Sequence, residues 1–331
     1  MKKVLIIGGA GFIGFHLARK LISKFNVDLV DNFSRSIKDQ DLRSLLKKRN
    51  LRLINLDILK NKSKINKLSK NYTYIFHLAA IVGAKNVLNS PYSVLTKNIE
   101  LLKSAIDIGK QQIKLKRFIF TSSSEVYYGT LKNYGLKFPT KENTTLSTLS
   151  LTDRRGTYML SKIYGEAMCS LSNLPFTILR PHNFYGPRMG QSHVIPELFK
   201  KVYFSKNKTI SVFSPSHRRN FCYIDDGIDF ILSLIKHKKS LGKTYNVGSN
   251  KKDISIKNLA KIIIKLSNKK IKIKKENDVF SSPKRRLPDV SKAISLTGYK
   301  YQYTLEKGLT ETFDWYKSDV FNNKKILNSY N

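Results

Sequence analysis

Cysteine is almost missing: 331 residues contain only Cys169 and Cys222. Two unclustered cysteines build neither a disulfide framework nor a thiolate metal centre, so the expected setting is a reducing cytoplasm and no metal is expected. Long apolar runs are missing too, which excludes a membrane-spanning helix at sequence level. The start shows no signal-peptide pattern, because Val4–Ile7 passes directly into glycines. Acidic residues are scarce, with 23 Asp and Glu against 61 Lys and Arg, a formal net charge of +38. Such an excess suggests a polyanion partner. However, no recognition-helix signature, zinc spacing or RNA-binding aromatic motif accompanies it. The lysines are scattered along the chain, and Lys272 and Lys274 alternate with Ile271 and Ile273 as in a strand with one wet face. The charge therefore reads as solvated surface, with a field suited to attracting a small dianion, and nucleic acid is not the expected partner.

Apolar residues are plentiful, at 41%. Lys3–Ile7 is an apolar run of the kind a doubly covered strand shows. Phe15–Ile22 has helical spacing. Between them lie Gly8, Gly11 and Gly14, three apart, with Phe12 and Ile13 in the last gap. Glycines at a strand-to-helix turn permit a tight bend, close approach of a pyrophosphate and close helix–strand packing. The helix start then offers free N–H groups to phosphate. An ordinary glycine turn is the competing reading of this stretch alone.

The rest of the chain supports the first reading. A second strand, Asn26–Asp31, ends in an acid 17 residues past Gly14, with Asn32 next. A carboxylate there suits the two hydroxyls of an adenosine ribose and repels a 2′-phosphate, favouring NAD over NADP. Arg35 stands against that preference, and a capping or turn aspartate is the alternative. Further strands are expected at Leu51–Leu56, before Asp57 and Ile58; at Tyr74–Ala80, through Leu78 and ending in the small residues Ala79 and Ala80; at Arg117–Phe120, before Thr121–Ser124; and at Pro175–Arg180. Helical stretches such as Asn98–Lys110 and Tyr158–Leu171 separate them. This alternation implies an α/β fold, a Rossmann-like doubly wound parallel sheet, with ligands beyond the carboxyl ends of the strands. Residues 1–185 form the expected cofactor-binding domain and 186–331 a smaller mixed α/β lobe. A segment near 220–250 returns to the main sheet, through a strand at Tyr245–Gly248.

Tyr158 and Lys162 lie one helical turn apart on one face. An ammonium beside a phenol lowers its pKa, which makes Tyr158 a candidate general base for a sugar hydroxyl, and Ser123 can share that proton. Tyr-x-x-x-Lys alone is commonly structural, and the serines alone commonly form turns and caps.

Gly8–Gly14, Asp31, His77–Ala80, Ser122–Tyr127 and Tyr158–Lys162 together resemble the extended short-chain dehydrogenase/reductases that act on nucleotide sugars. The resemblance covers nearly the whole chain. It implies that Asp57 and Ile58 flank the adenine and that Asn183 contacts the substrate. Val194 falls in a nucleotide-contacting stretch, Arg219 and Arg286 bind the substrate diphosphate, and the Asn98 and Tyr158 helices build a homodimer. One departure stands out: Val126-Tyr127-Tyr128-Gly129 carries one residue more than the family's Val-Tyr-Gly, which is expected to reshape the loop over the sugar.

In this family the C4 hydroxyl is transiently oxidised, and the 4-keto sugar is then epimerised, dehydrated or, when C6 is a carboxylate, decarboxylated. Dehydratases place Asp-Glu where this chain has Ser124-Glu125. C4 epimerisation of a nucleotide sugar, UDP-linked by preference, is the first reading. Decarboxylation of a nucleotide glucuronate, with Glu125 as a base near C5, is the second, and 4,6-dehydration the third. A non-catalytic dinucleotide- or nucleic-acid-binding protein is the alternative of another class, and the intact Ser123, Tyr158 and Lys162 argue against it.

Overall fold

The computed structural model describes residues 1–323 except 207 and 279–281, together with Leu327. β1 (Lys3–Ile7) is buried along Val4–Ile7, as its unbroken apolar run requires. On one side of it lie β2 (Asn26–Asp31) and β3 (Leu51–Asn55). On the other lie β4 (Tyr72–His77), β5 (Arg117–Thr121) and β6 (Phe176–Pro181). Past β6 the strands shorten: β7 (Phe184–Tyr185), β8 (Thr209–Val212), β9 (Arg218–Arg219), β10 (Cys222–Tyr223), β11 (Lys243–Val247), β12 (Ile254–Ser255), β13 (Lys272–Lys275) and β14 (Arg285–Arg286). The expected returning strand is β11, which adds a seventh strand beside β6.

All six strand pairs of this sheet are parallel. Parallel neighbours need crossovers, and helices supply them, among them Phe12–Leu21 after β1, Pro91–Lys110 before β5 and Gly156–Ser170 before β6. The chain runs outward from β1 to β3 and then comes back to β4 on the other flank of β1. Crossovers leaving in opposite directions open a crevice at the carboxyl ends of β1 and β4. The predicted Lys-rich strand is β13, paired with β8, with Ile273 half-buried between exposed lysines. Among the described residues no helix is long and apolar enough to cross a membrane.

The segments beyond residue 186 are fastened to the first helix. Arg19 pairs with Asp225 at 2.5 Å and Lys20 with Asp229 at 2.9 Å. Arg188, buried, pairs with buried Asp39 at 2.6 Å, lies over the Phe15 ring and donates to the Ile37 carbonyl at 3.2 Å. This chain of contacts fixes the loop after β2 against the glycine turn.

Candidate active site

The glycine turn is closed by backbone packing. A Cβ on Gly8 (φ +84°) would meet the Ala79 nitrogen at 2.7 Å, and one on Gly14 would meet the Gly8 carbonyl at 2.5 Å. These two glycines therefore let β4's end and the first helix approach the turn. Gly11 caps that helix without any side-chain bond, so the N–H groups at Phe12 and Ile13 face an uncapped start. Leu78 and Ala79 both donate to the Ile7 carbonyl, bringing Leu78–Ala80 alongside. Asp31 stands at the crevice edge, but its carboxylate is already engaged. It accepts from Ala10 N–H at 3.0 Å, Phe33 N–H at 2.9 Å and the Ser36 hydroxyl at 2.6 Å. These bonds make it a brace of the turn, with one carboxylate lone pair left over. Asn32 donates to Asp57 at 3.3 Å, and Ile58 is buried beside it. An uncapped helix start, a cradle that admits no Cβ and a carboxylate at the edge fit a dinucleotide.

Ser123 caps the short 3-10 turn Ser124–Tyr127 and stands beside the Tyr158 phenol, whose pKa its hydroxyl pulls down. Tyr158 lies in the first turn of the Gly156–Ser170 helix. Burial pushes its phenol up to about 12; the Ser123 hydroxyl opposes this, Glu125 adds to it, and Arg35 and Arg286 pull it down. Here the sequence expectation needs correction. Lys162 shares the face of Tyr158, but its ammonium donates to the Thr121 carbonyl at 2.8 Å and sits 5.7 Å from the centre of the Tyr158 ring. Burial also brings Lys162 down to about 8. In the protein alone the pull on the phenol comes from Ser123 and the arginines, because the carbonyl claims the ammonium.

Glu125 and Arg286 form an ion pair at 2.6 Å. Burial opposes ionisation of Glu125, but the Arg286 guanidinium outweighs it and holds the carboxyl below its usual range. Arg286 is the register partner of Arg219 across β14 and β9, so two predicted anion-binding residues stand side by side. Burial, then the Arg286 charge, brings Arg219 down to about 9. Two crowded guanidiniums gain from an anion between them. Asn183 gives its amide to the Asn220 carbonyl at 2.9 Å, and Val194 opens the helix Val194–Phe204. Tyr128, the extra residue, does not lengthen a loop. It starts the helix Tyr128–Tyr134 and is buried with Leu149 and Met159, next to Tyr158. A Cβ on the following Gly129 would fall 1.9 Å from the Ser147 carbonyl, so only glycine allows this packing.

Sequence reasoning missed the brace beneath the site. Glu166, one turn past Lys162, accepts from the Ser122 hydroxyl at 2.6 Å and binds Arg180 through both oxygens, at 2.8 and 2.6 Å. Arg180 also donates to the Tyr127 hydroxyl at 2.7 Å, which donates to Asn246 of β11 at 2.9 Å. Asn98 was also missed. It ties the Ile81 backbone, at 2.7 and 3.0 Å, to the Ser161 hydroxyl at 3.3 Å. The available signals were the four-residue spacing of Glu166 from Lys162 and an arginine ending an apolar strand.

The family model described as "NAD dependent epimerase/dehydratase family" matches residues 4–248. The chain is 30% identical to the UDP-N-acetyl-alpha-D-glucosaminuronate decarboxylase of Bacillus cytotoxicus, over 96% of this chain and 98% of that one. It is 28% identical to the UDP-glucuronate 4-epimerase of Thermodesulfobacterium geofontis, over 96% of each. Among solved structures, the UDP-glucuronic acid 4-epimerase of Bacillus cereus, in complex with UDP-glucuronic acid and NAD, superposes with a TM-score of 0.82 at 29% identity, covering 95% of this chain and 99% of that one.

Proposed function

Because the chain belongs to the NAD-dependent epimerase/dehydratase family, we propose that it epimerises a UDP-linked sugar at C4 through a transient 4-keto sugar. NAD, when bound, supplies the acceptor and returning donor of the C4 hydride. Gly8, Gly11, Gly14, Phe12, Ile13, Asp31, Asn32, Asp57, Ile58 and Leu78–Ala80 hold it, with Lys162 beneath. Tyr158 takes the C4 hydroxyl proton, helped by Ser123, and gives it back after the sugar presents its other face. Arg219 and Arg286 hold the diphosphate, with Asn183 and Val194 at the substrate's side. In this reading residues 1–185 serve mainly the cofactor and residues 186–331 mainly the sugar nucleotide.

The Glu125–Arg286 pair argues against dehydration. Dehydration needs a protonated acid beside the sugar, and Glu125, held ionised by Arg286, is a poor proton donor near neutral pH. Epimerisation asks only Tyr158 to titrate. The same pair favours a second reading, decarboxylation, in which Glu125 serves as a base near C5 and the arginines receive a C6 carboxylate.

Deuterated water separates these readings. An epimerase returns the hydride it removed, so the product is expected to carry no carbon-bound deuterium and to differ from substrate only at C4. Deuterium at C5 with the mass of one carboxylate lost would replace epimerisation by decarboxylation. Deuterium without that loss would indicate dehydration.

The proposed homodimer pairs the Pro91–Lys110 and Gly156–Ser170 helices with their copies. Tyr164, 56% exposed on the second of these helices, supports this face. Tyr164→Glu is expected to give monomers by sedimentation velocity; a variant that stays dimeric would remove the face from the interface. Both cysteines are buried and free, which suits the reducing cytoplasm proposed as its location.

A further inference from the structure

Arg35 is a charged side chain of the site that the proposed reaction leaves without a task. It follows Asp31 by four residues, in the loop after β2. Its guanidinium reaches the Ala80 carbonyl at 3.4 Å, past the end of β4. The sheet order places β1 between β2 and β4. The arginine therefore spans the crevice above the turn that follows β1, where Phe12 and Ile13 present their N–H groups without a capping side chain. The loop bearing it is fixed on its inner side by Asp39–Arg188 and by Ser36 on Asp31. It also acts on Tyr158, whose phenol it pulls down, and on His193, which burial and then the Arg35 charge hold down.

We infer that Arg35 is a cofactor-positioning residue that clamps the pyrophosphate of NAD against the glycine turn from the solvent side. The diphosphate carries two negative charges. The helix start supplies neutral N–H donors on one side only, and among the turn-forming residues no cation lies on the other. A guanidinium offers paired N–H donors matched to phosphate oxygens. Its hold on Ala80 is long and weak, so transferring it to phosphate gives up little. The competing use of an arginine after β2 is to accept a 2′-phosphate. Its reach to Ala80, away from Asp31 and toward Tyr158, favours the pyrophosphate.

Calorimetric titration of Arg35→Gln and Arg35→Lys with NAD, NADP, ADP and adenosine tests this without recourse to turnover. Arg35→Gln is expected to weaken NAD and ADP by about tenfold, as loss of a charge-assisted phosphate contact does. Adenosine should bind unchanged and the NAD-to-NADP ratio should hold. Arg35→Lys should recover part of the loss. NAD affinity within twofold of the unaltered protein would overturn the assignment. So would a loss confined to NADP, which puts Arg35 at the 2′-phosphate, or an equal loss for adenosine, which puts it at the nucleoside. A thermal midpoint equal to that of the unaltered protein verifies that the exposed loop change leaves the fold intact. Failure of the C4 reading would leave these affinities untouched, so the two proposals fall separately.

Discussion

Tyr158→Phe is expected to lower turnover at least about a hundredfold while NAD still binds. The substitution keeps the ring that packs above Lys162 and removes the oxygen that meets Ser123. The two phenols that follow Ser123 in the chain, Tyr127 and Tyr128, are otherwise committed. Tyr127 gives its hydroxyl to Asn246 and receives Arg180, and burial raises it to about 12. Tyr128 is buried with Leu149 and Met159. The pH dependence follows from the sign of the shift. Burial places the Tyr158 phenol far above neutrality, so the reactive phenolate is a minor form that grows with pH. Turnover of the unaltered enzyme should rise on the alkaline side, and the variant's residual rate should lack that limb. Steady-state rates with a UDP-sugar, set beside calorimetric NAD affinities, measure both. Near-normal turnover in Tyr158→Phe would move the base elsewhere.

Arg180→Ala is expected to destabilise the fold by about 3–5 kcal/mol, since it leaves a buried carboxylate without its cation. The Arg180 and Glu166 side chains are only 5% and 12% exposed, so water cannot replace the lost contacts. Glu166 would keep only the Ser122 hydroxyl, and Tyr127 would lose a partner. A loss of that size is a large part of a domain's usual stability of roughly 5–15 kcal/mol. Replacing both members, as Arg180→Met with Glu166→Met, should recover most of it, because no unpaired charge remains. Urea unfolding midpoints of the single and double variants are the measurement. A single variant within about 1 kcal/mol of the parent would mean that the pair is not a brace.

The sequence by itself determined the sheet and the crevice. Apolar strands alternating with helices admit few arrangements, and Gly8, Gly11 and Gly14 placed the turn that the structure has at the end of β1. It also placed Ser123, Tyr158 and Lys162 near one another, because one follows β5 and the others share a helix face. The local periodicity that marks strands and helices also marks what lies at their ends.

Only the tertiary structure decided which partner each charged group takes. Lys162 bonds Thr121 rather than the Tyr158 oxygen, because the end of β5 brings a carbonyl nearer than the phenol. Arg286 meets Glu125 across 161 residues, and Arg180 meets Tyr127 across 53. Tyr128 read as an insertion into a loop, whereas its burial with Met159 makes it part of a helix. Periodicity reports which face of an element is buried. It does not report which buried donor finds which acceptor, since that depends on distances set by the packing of elements far apart in the chain.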